Sequence, residues 1–427
     1  MKNELLEGNT LTRGDREISE DLVGYFRLFR KGVLGNDKFL KRQYCNQKLL
    51  YTDWVASGRL YAPIEEIIQH KIGPTMANTH SFSSQSGKIT TYAYRHARKI
   101  IRSHVGASHE DVLVTTGTGM TAAIAKLINL MGLERQEERP VVFISHMEHH
   151  SNQVPWFAIG AEVVILPPDE NMKVSPAILE RELKRHADRK VKIGSFTACS
   201  NVTGEITPYH ELAAVMHRAR GLCFVDLAAS APYVDINMHP ADKAGALDAI
   251  FFSPHKFLGG PGSCGILVFN KKLYSSTHPD TPGGGNVSWT TPWGEYGYFE
   301  DPETREDGGT PGILQVIRAA LAMQLKEKMG TENIEARERQ LLDLFHQRMA
   351  ALPQVKVLGD PEARKIGCVS FNISGMHYNL VVRLLNDRFG IQARGGWSCA
   401  STFSHYLCDL QEPASAEVVQ GIKSRDL

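Results

Sequence analysis

Seven short runs of apolar residues recur through the middle of the chain, at 112–115, 141–145, 162–166, 192–198, 222–226, 249–253 and 265–270. They are rich in Val, Ile and Phe and nearly continuous in apolar character, the pattern of strands covered on both faces. Helical periodicity separates them, for example at 176–187 and 210–220. Alternation of this kind predicts an α/β fold, with a mainly parallel sheet between two layers of helices. The pattern changes after about residue 310. Two long helical stretches, 313–328 and 333–350, lead into a strand-like run at 368–373 and a helical run at 378–388. These read as a smaller α+β unit. A large domain over 70–325 and a small one built from 1–69 plus 326–427 are expected. The Gly- and Pro-rich run 281–309 reads as a long loop.

Composition narrows the function classes. Of 427 residues, 42% are hydrophobic and 22% charged, and the formal net charge is +1. Nucleic-acid and membrane-surface binders need a basic excess that this chain lacks. Lys126 breaks the apolar stretch 122–133, and no run approaches the ~18 residues of a membrane span. The first twenty residues hold five acids and three bases, unlike a signal or transit peptide. Seven widely spaced cysteines without a CxxC argue against a disulfide framework or structural zinc. A cytoplasmic setting is expected.

Four local motifs carry candidate chemistry. Ser253-Pro254-His255-Lys256 ends a strand and runs into a glycine-rich turn. Such a lysine can form a Schiff base with a carbonyl cofactor, with Ser253 and His255 as donors to a phosphate. Alone, this motif is equally a surface lysine before a flexible turn. Asp226 ends the strand 222–226, at the end of a parallel sheet where α/β proteins bind ligands. A carboxylate there can pair with a protonated pyridinium nitrogen, and Lys with Asp suits pyridoxal 5'-phosphate (PLP); a helix cap is the plainer alternative. Thr115 to Thr121, with Gly117 and Gly119, opens a helix whose N–H groups can bind phosphate. Finally, Met147-Glu148-His149-His150-Ser151-Asn152 offers either a metal cluster or a single imidazole stacked on a planar cofactor. Adjacent histidines point in different directions, and no HExxH is present.

Together, MEHHSN at 147–152, SNVTGE at 200–205, VDLAAS at 225–230, SPHKFLGGPG at 253–262, GGTPG at 308–312 and RGGWSC at 394–399 resemble the class V family of fold-type I PLP enzymes. The resemblance spans roughly residues 50–410 and points to the cysteine desulfurase and selenocysteine lyase branch. It implies that Lys256 holds PLP, that Asp226 pairs with its ring nitrogen, that His149 stacks on the ring and that Asn201 sits near the ring oxygen. It further implies Thr118, Ser253 and His255 at the phosphate, with Thr310 supplied by the other subunit of a homodimer. Arg394 would contact the substrate carboxylate, and Cys399 would accept sulfur from L-cysteine, leaving alanine and an enzyme persulfide for a sulfur-acceptor protein. Arg394 and His405 are near enough in sequence to activate Cys399, while Cys368 and Cys408 read as structural. Ala229 stands where the family often has Gln, and the chain ends at Leu427 earlier than the family usually does. The alternatives are a class V aminotransferase, lyase or epimerase acting on another amino acid, for which Trp397 beside the cysteine is a mild argument, and a catalytically impaired PLP-binding protein.

Overall fold

The computed structural model describes residues 18–41, 46–117 and 119–424. The seven apolar runs form one sheet: β1 Asp111–Thr116, β2 Val141–Ser145, β3 Glu162–Leu166, β4 Lys192–Thr197, β5 Leu222–Asp226, β6 Ala249–Phe252 and β7 Gly265–Asn270. Their order across the sheet is β1-β7-β6-β5-β4-β2-β3. The strands from β3 to β6 pair in parallel, and β7 runs antiparallel to both β1 and β6. This is the mainly parallel α/β sheet that the apolar runs predict.

Alternate residues of each strand feed different cores, because successive side chains leave opposite faces. Phe143, Val225, Ile250 and Phe252 join Tyr94, Ala97 and Ile101 of the helix Gln85–His104 and Val316, Ile317 and Ala320 of the helix Ile313–Met329. Val142, Ile144, Phe224 and Phe251 join Ile124, Leu127 and Ile128 of the helix Gly119–Leu130. With both faces buried, strands that look uniformly apolar are what the sheet requires.

Beyond the sheet, Thr331–Met349 and Tyr378–Phe389 are helical, and Val355–Val357 pairs antiparallel with Phe371–Ile373. That second strand begins three residues later than the apolar run predicts. Residues 366–368 turn onto the loop near Gly204 instead: Ile366 donates its N–H to Gly204 O at 3.0 Å, and Cys368 to Ile366 O at 2.6 Å. The run 281–309 is also more structured than its composition suggests. It contains the hairpin Val287–Thr290/Tyr296–Tyr298 and the short helix Pro302–Arg305. Its β-forming aromatics alternate with the glycines that mark it as loop.

Two long-range contacts shape the site. Leu50–Tyr51 pairs in parallel with Ile391–Gln392, and Gly58 then donates its N–H to His255 O at 2.9 Å. The segment 50–58 therefore bridges the unit carrying Arg394 and the turn carrying Lys256. Among the described residues, no helix is long and apolar enough to cross a membrane.

Candidate active site

The parallel strands end on one side of the sheet, and the loops that follow enclose a cavity of about 1500 Å³. Asp226 is the last residue of β5 and is buried. β6 gives way to Ser253 and the 3-10 turn Pro254–Lys256. His149 caps the N-terminus of the helix His150–Ala158, its Nδ1 accepting from Ser151 N–H at 3.1 Å. Asp226, Lys256, His149, Asn201, Ser253, His255 and Arg394 all line the cavity.

Burial sets the charge states. Desolvation lowers the Lys256 pKa, opposed by Asp226 and assisted by Arg394. Desolvation pushes Asp226 up to about 6, while the Ala228 N–H, 2.8 Å from Oδ1, and Lys256 pull it down. The carboxylate is thus mostly ionised at neutral pH. His149 is lowered to about 4, by desolvation first and then by Lys256, His150 and Arg394. Its imidazole is neutral at pH 7, a flat ring wall rather than a cation. His255 is lowered too, by burial and by Lys256.

The far end of the cavity suits an anion. Gly117, Gly119, Met120 and Thr121, at the start of a helix, face Ser253 and His255. Gly119 has φ +61°, and a Cβ there would lie 2.6 Å from Ser253 Oγ. The Ser253 hydroxyl oxygen accepts from Met120 N–H at 2.8 Å. A Cβ at Gly117 would meet nothing within 4 Å, so room is left for an oxyanion. Thr118 lies outside the described residues, as do the first 17 residues, Cys45 and the last three residues.

The remaining predicted residues divide. Asn201 donates Nδ2–H to Ser398 O at 2.7 Å. Arg394 pairs with Asp53, whose Oδ2 lies 3.2 Å from Nη2 and 3.3 Å from Nε. Cys399 is exposed, next to the cavity-lining Ser398. Both have positive φ, +50° and +56°, a conformation that costs about 1–3 kcal/mol for each non-glycine residue. Thr310 does not reach this cavity; with Pro261, Gly262 and Arg318 it lines a separate hollow of about 400 Å³.

Two expectations change, and Cys368 stays a structural thiol. His405 does not face Cys399: its Nδ1 is 2.7 Å from Ser401 O and its Nε2 2.8 Å from Ser415 Oγ, and its ring packs on Trp397. Cys408 is exposed rather than part of a core, because it follows the helix Ser401–Leu407 as its cap. Cys368 lines the cavity with Cys199, and burial pushes its thiol up to about 12. Asp53 was not singled out by any motif. Nor was the role of Glu148, which is fully buried and accepts from Ser145 Oγ (2.6 Å), Thr197 N–H (3.0 Å) and Asn152 Nδ2–H (2.6 Å). The acid of the 147–152 motif braces β2 against β4.

The profile described as "Aminotransferase class-V" matches residues 50–414. The chain belongs to the class V aminotransferase family. Class V aminotransferases depend on PLP, and this chain is a PLP-dependent enzyme. A probable cysteine desulfurase of Staphylococcus epidermidis is 27% identical over 383 residues, covering 88% of this chain and 89% of its own. One from Staphylococcus aureus is 26% identical over 381 residues, with 88% and 89% covered. Among solved structures, the apo cysteine desulfurase of Thermococcus onnurineus NA1 superposes with a TM-score of 0.77 at 24% identity, over 92% of each chain. The cysteine desulfurase CsdA of Escherichia coli gives 0.70 at 23%, over 83% and 86%. Both structures show that the class V fold is shared.

The residues present fit the cofactor. A desolvated lysine, a buried carboxylate, a neutral imidazole and a glycine-opened helix start share one cavity, and the open space beside Gly117 suits a phosphate.

Proposed function

We propose that this enzyme is a cysteine desulfurase, removing sulfur from L-cysteine. One observation carries the reading: Cys399 sits on a strained turn whose neighbour Ser398 lines the cavity, with Arg394 on the same segment. The similarity to proteins named probable cysteine desulfurase supports it.

In this reading Lys256 would hold PLP, Asp226 would keep its ring nitrogen protonated, and the neutral His149 ring would pack against it. Asn201 would sit near the ring oxygen. Thr118, Ser253 and His255 hold the phosphate, joined by Thr310 of a second copy in a homodimer. PLP, when bound, supplies a sink for the electron pair left at the substrate's Cα. Lys256 is suited to take the Cα proton, because its lowered pKa leaves more of the neutral amine. Arg394 receives the substrate carboxylate. The Cys399 thiolate then attacks the substrate sulfur. An S–S bond forms and the Cβ–S bond breaks, its electron pair staying on carbon, which takes up a proton. Cysteine and the enzyme thiol become alanine and an enzyme persulfide, with no outside oxidant. A thiol-bearing acceptor protein, in a reducing cytoplasm, is the expected recipient.

Incubating the PLP-loaded protein with cysteine tests this. Alanine, sulfide and a persulfide on the peptide containing Cys399 should appear together. Amino transfer to a keto acid without sulfur release would replace the reading with an aminotransferase.

A further inference from the structure

The second histidine of the 147–152 motif has no place in the scheme above, and nothing there says what holds the strain at Ser398 and Cys399. The two meet. The His150 backbone N–H donates to Cys399 O at 2.7 Å. The His150 ring turns back on the same loop: its Nε2 accepts from Ser401 N–H at 3.2 Å and lies 2.6 Å from Ser401 Oγ. Two donors on one nitrogen place the ring proton on Nδ1. One helical turn on, Thr402 Oγ1 bonds Gln153 Oε1 at 3.1 Å. From the other side, Asn201 Nδ2–H holds Ser398 O at 2.7 Å.

Consecutive non-glycine residues in the left-handed region persist only where their surroundings over-determine them. Here the determinants come from His150 and Asn201. His150 follows His149, so the element that brings a ring wall to the cavity also anchors the cysteine's turn. Glu148 fixes the base of that element through Ser145, Thr197 and Asn152.

We propose that His150 is a positioning residue for Cys399: its backbone N–H and its imidazole clamp residues 399–401 and hold the thiol in reach of the cavity. The proposal rests on the sulfur-accepting role of Cys399 for its kinetic consequence, but not for its structural one. Without the ring, Ser401 loses two hydrogen bonds and the turn relaxes from its left-handed pair. Cofactor binding and substrate entry, which use other residues, are untouched.

The test uses the PLP-loaded protein carrying His150→Ala, His150→Gln or Ser401→Ala. Hydrogen exchange at the amides of residues 398–401 is read first, because it needs no turnover. His150→Ala should speed it roughly tenfold or more, as expected for the loss of the ring's two hydrogen bonds to Ser401. The kcat for alanine formation from cysteine should fall by at least a similar factor, with KM and the cofactor absorbance unchanged. Glutamine, whose Oε1 can accept from Ser401 N–H, should recover most of both. Ser401→Ala, which keeps the imidazole and removes only the hydroxyl, should show a smaller change of the same sign; it also decides the matter if His150→Ala does not fold. Wild-type exchange at 398–401 in His150→Ala or Ser401→Ala overturns the clamp. So does a kcat loss in His150→Ala that comes with lost cofactor absorbance or that glutamine does not relieve. If the wild type releases no sulfur from cysteine but His150→Ala still frees the turn, the clamp stands and the desulfurase reading falls.

Discussion

Asp53 Oδ2 lies 3.2 Å from Arg394 Nη2, a pairing that follows from strand register. Leu50 and Tyr51 sit opposite Ile391 and Gln392 in a parallel pair. Two residues further along, Asp53 and Arg394 emerge on the same side. Thr52 locks the register, its N–H and hydroxyl both donating to Gln392 O, at 3.1 and 2.6 Å. Asp53 engages Nε and Nη2 through one oxygen, and among the described residues Nη1 stays open to an incoming carboxylate. Arg394→Ala should raise the KM for cysteine roughly 10- to 100-fold, as loss of a charged hydrogen bond predicts. Asp53→Ala removes a half-exposed pair worth under about 1 kcal/mol, so its KM should rise only a few-fold. Steady-state kinetics on both variants checks the order.

Lys256→Ala should abolish borohydride-stable attachment of PLP to the protein. Asp226→Asn should retain attachment and slow turnover severely, since a neutral amide cannot hold the ring nitrogen protonated. Peptide mapping after reduction distinguishes the two. Attachment at another lysine in Lys256→Ala, with normal turnover, would contradict the assignment.

Two glycines separate folding from cofactor binding. A Cβ on Gly58 would sit 2.0 Å from Phe257 O, a backbone atom in the turn after Lys256. Gly58→Ala should cost about 1–3 kcal/mol or more, because neither chain can yield. A Cβ on Gly117 meets nothing within 4 Å. Gly117→Ala should leave apoprotein stability unchanged and weaken PLP, since the added methyl enters the space proposed for the phosphate. Urea unfolding of the apoproteins and PLP titration give the two readings.

Acid should loosen the unit that carries Cys399. His146 is buried, with its ring against Phe403 and Tyr406 on the helix Ser401–Leu407. Desolvation lowers its pKa to about 4, against partial relief from the Met172 and Leu166 carbonyls. Below its ordinary value of 6.5 the unfolded chain takes up a proton that the folded chain refuses until about pH 4. Stability therefore falls as pH drops through that window. Between pH 7 and 5 the loss from this group is on the order of 2 kcal/mol. His146→Phe should flatten that part of the pH profile, measured by urea unfolding of the apoprotein.

What the sequence made legible follows from how local each signal is. The sheet strands were readable because double-sided burial leaves each as an apolar run, and four of the seven match the structure to the residue, as at Val141–Ser145 and Leu222–Asp226. Lys256, Asp226 and His149 drew notice because each ends or caps an element inside a distinctive motif. Asp53 gave no signal. Its place depends on a strand pairing made 341 positions away, and nothing around Tyr51 predicts that partner. The hairpin within 281–309 was hidden by its glycines. His405 misled for the opposite reason: closeness in sequence to Cys399 suggested contact, but one helical turn carries its ring round to Ser415.

Cys399→Ser is the sharpest division between cofactor chemistry and sulfur transfer. The thiol is exposed and, among the described residues, contributes no hydrogen bond to the strained turn, which is held through the Ser398 and Cys399 carbonyls. A hydroxyl should therefore leave the turn, the cavity and PLP binding intact. It cannot act as the sulfur nucleophile, so alanine formation from cysteine should drop roughly hundredfold or more while cofactor absorbance is retained. Cys408 is exposed at the cavity wall, after the helix that follows the Cys399 turn, and Cys408→Ser should leave kcat unchanged. Cys368→Ser is more informative. Its sulfur sits 3.5 Å from Val202 O and 3.8 Å from Asn201 O, and burial holds the thiol protonated. A protonated thiol is a poor nucleophile, so turnover in Cys368→Ser should stay close to wild type. If Cys399→Ser kept full activity and Cys368→Ser lost it, the acceptor would be the buried thiol, and the exposed turn would need another purpose.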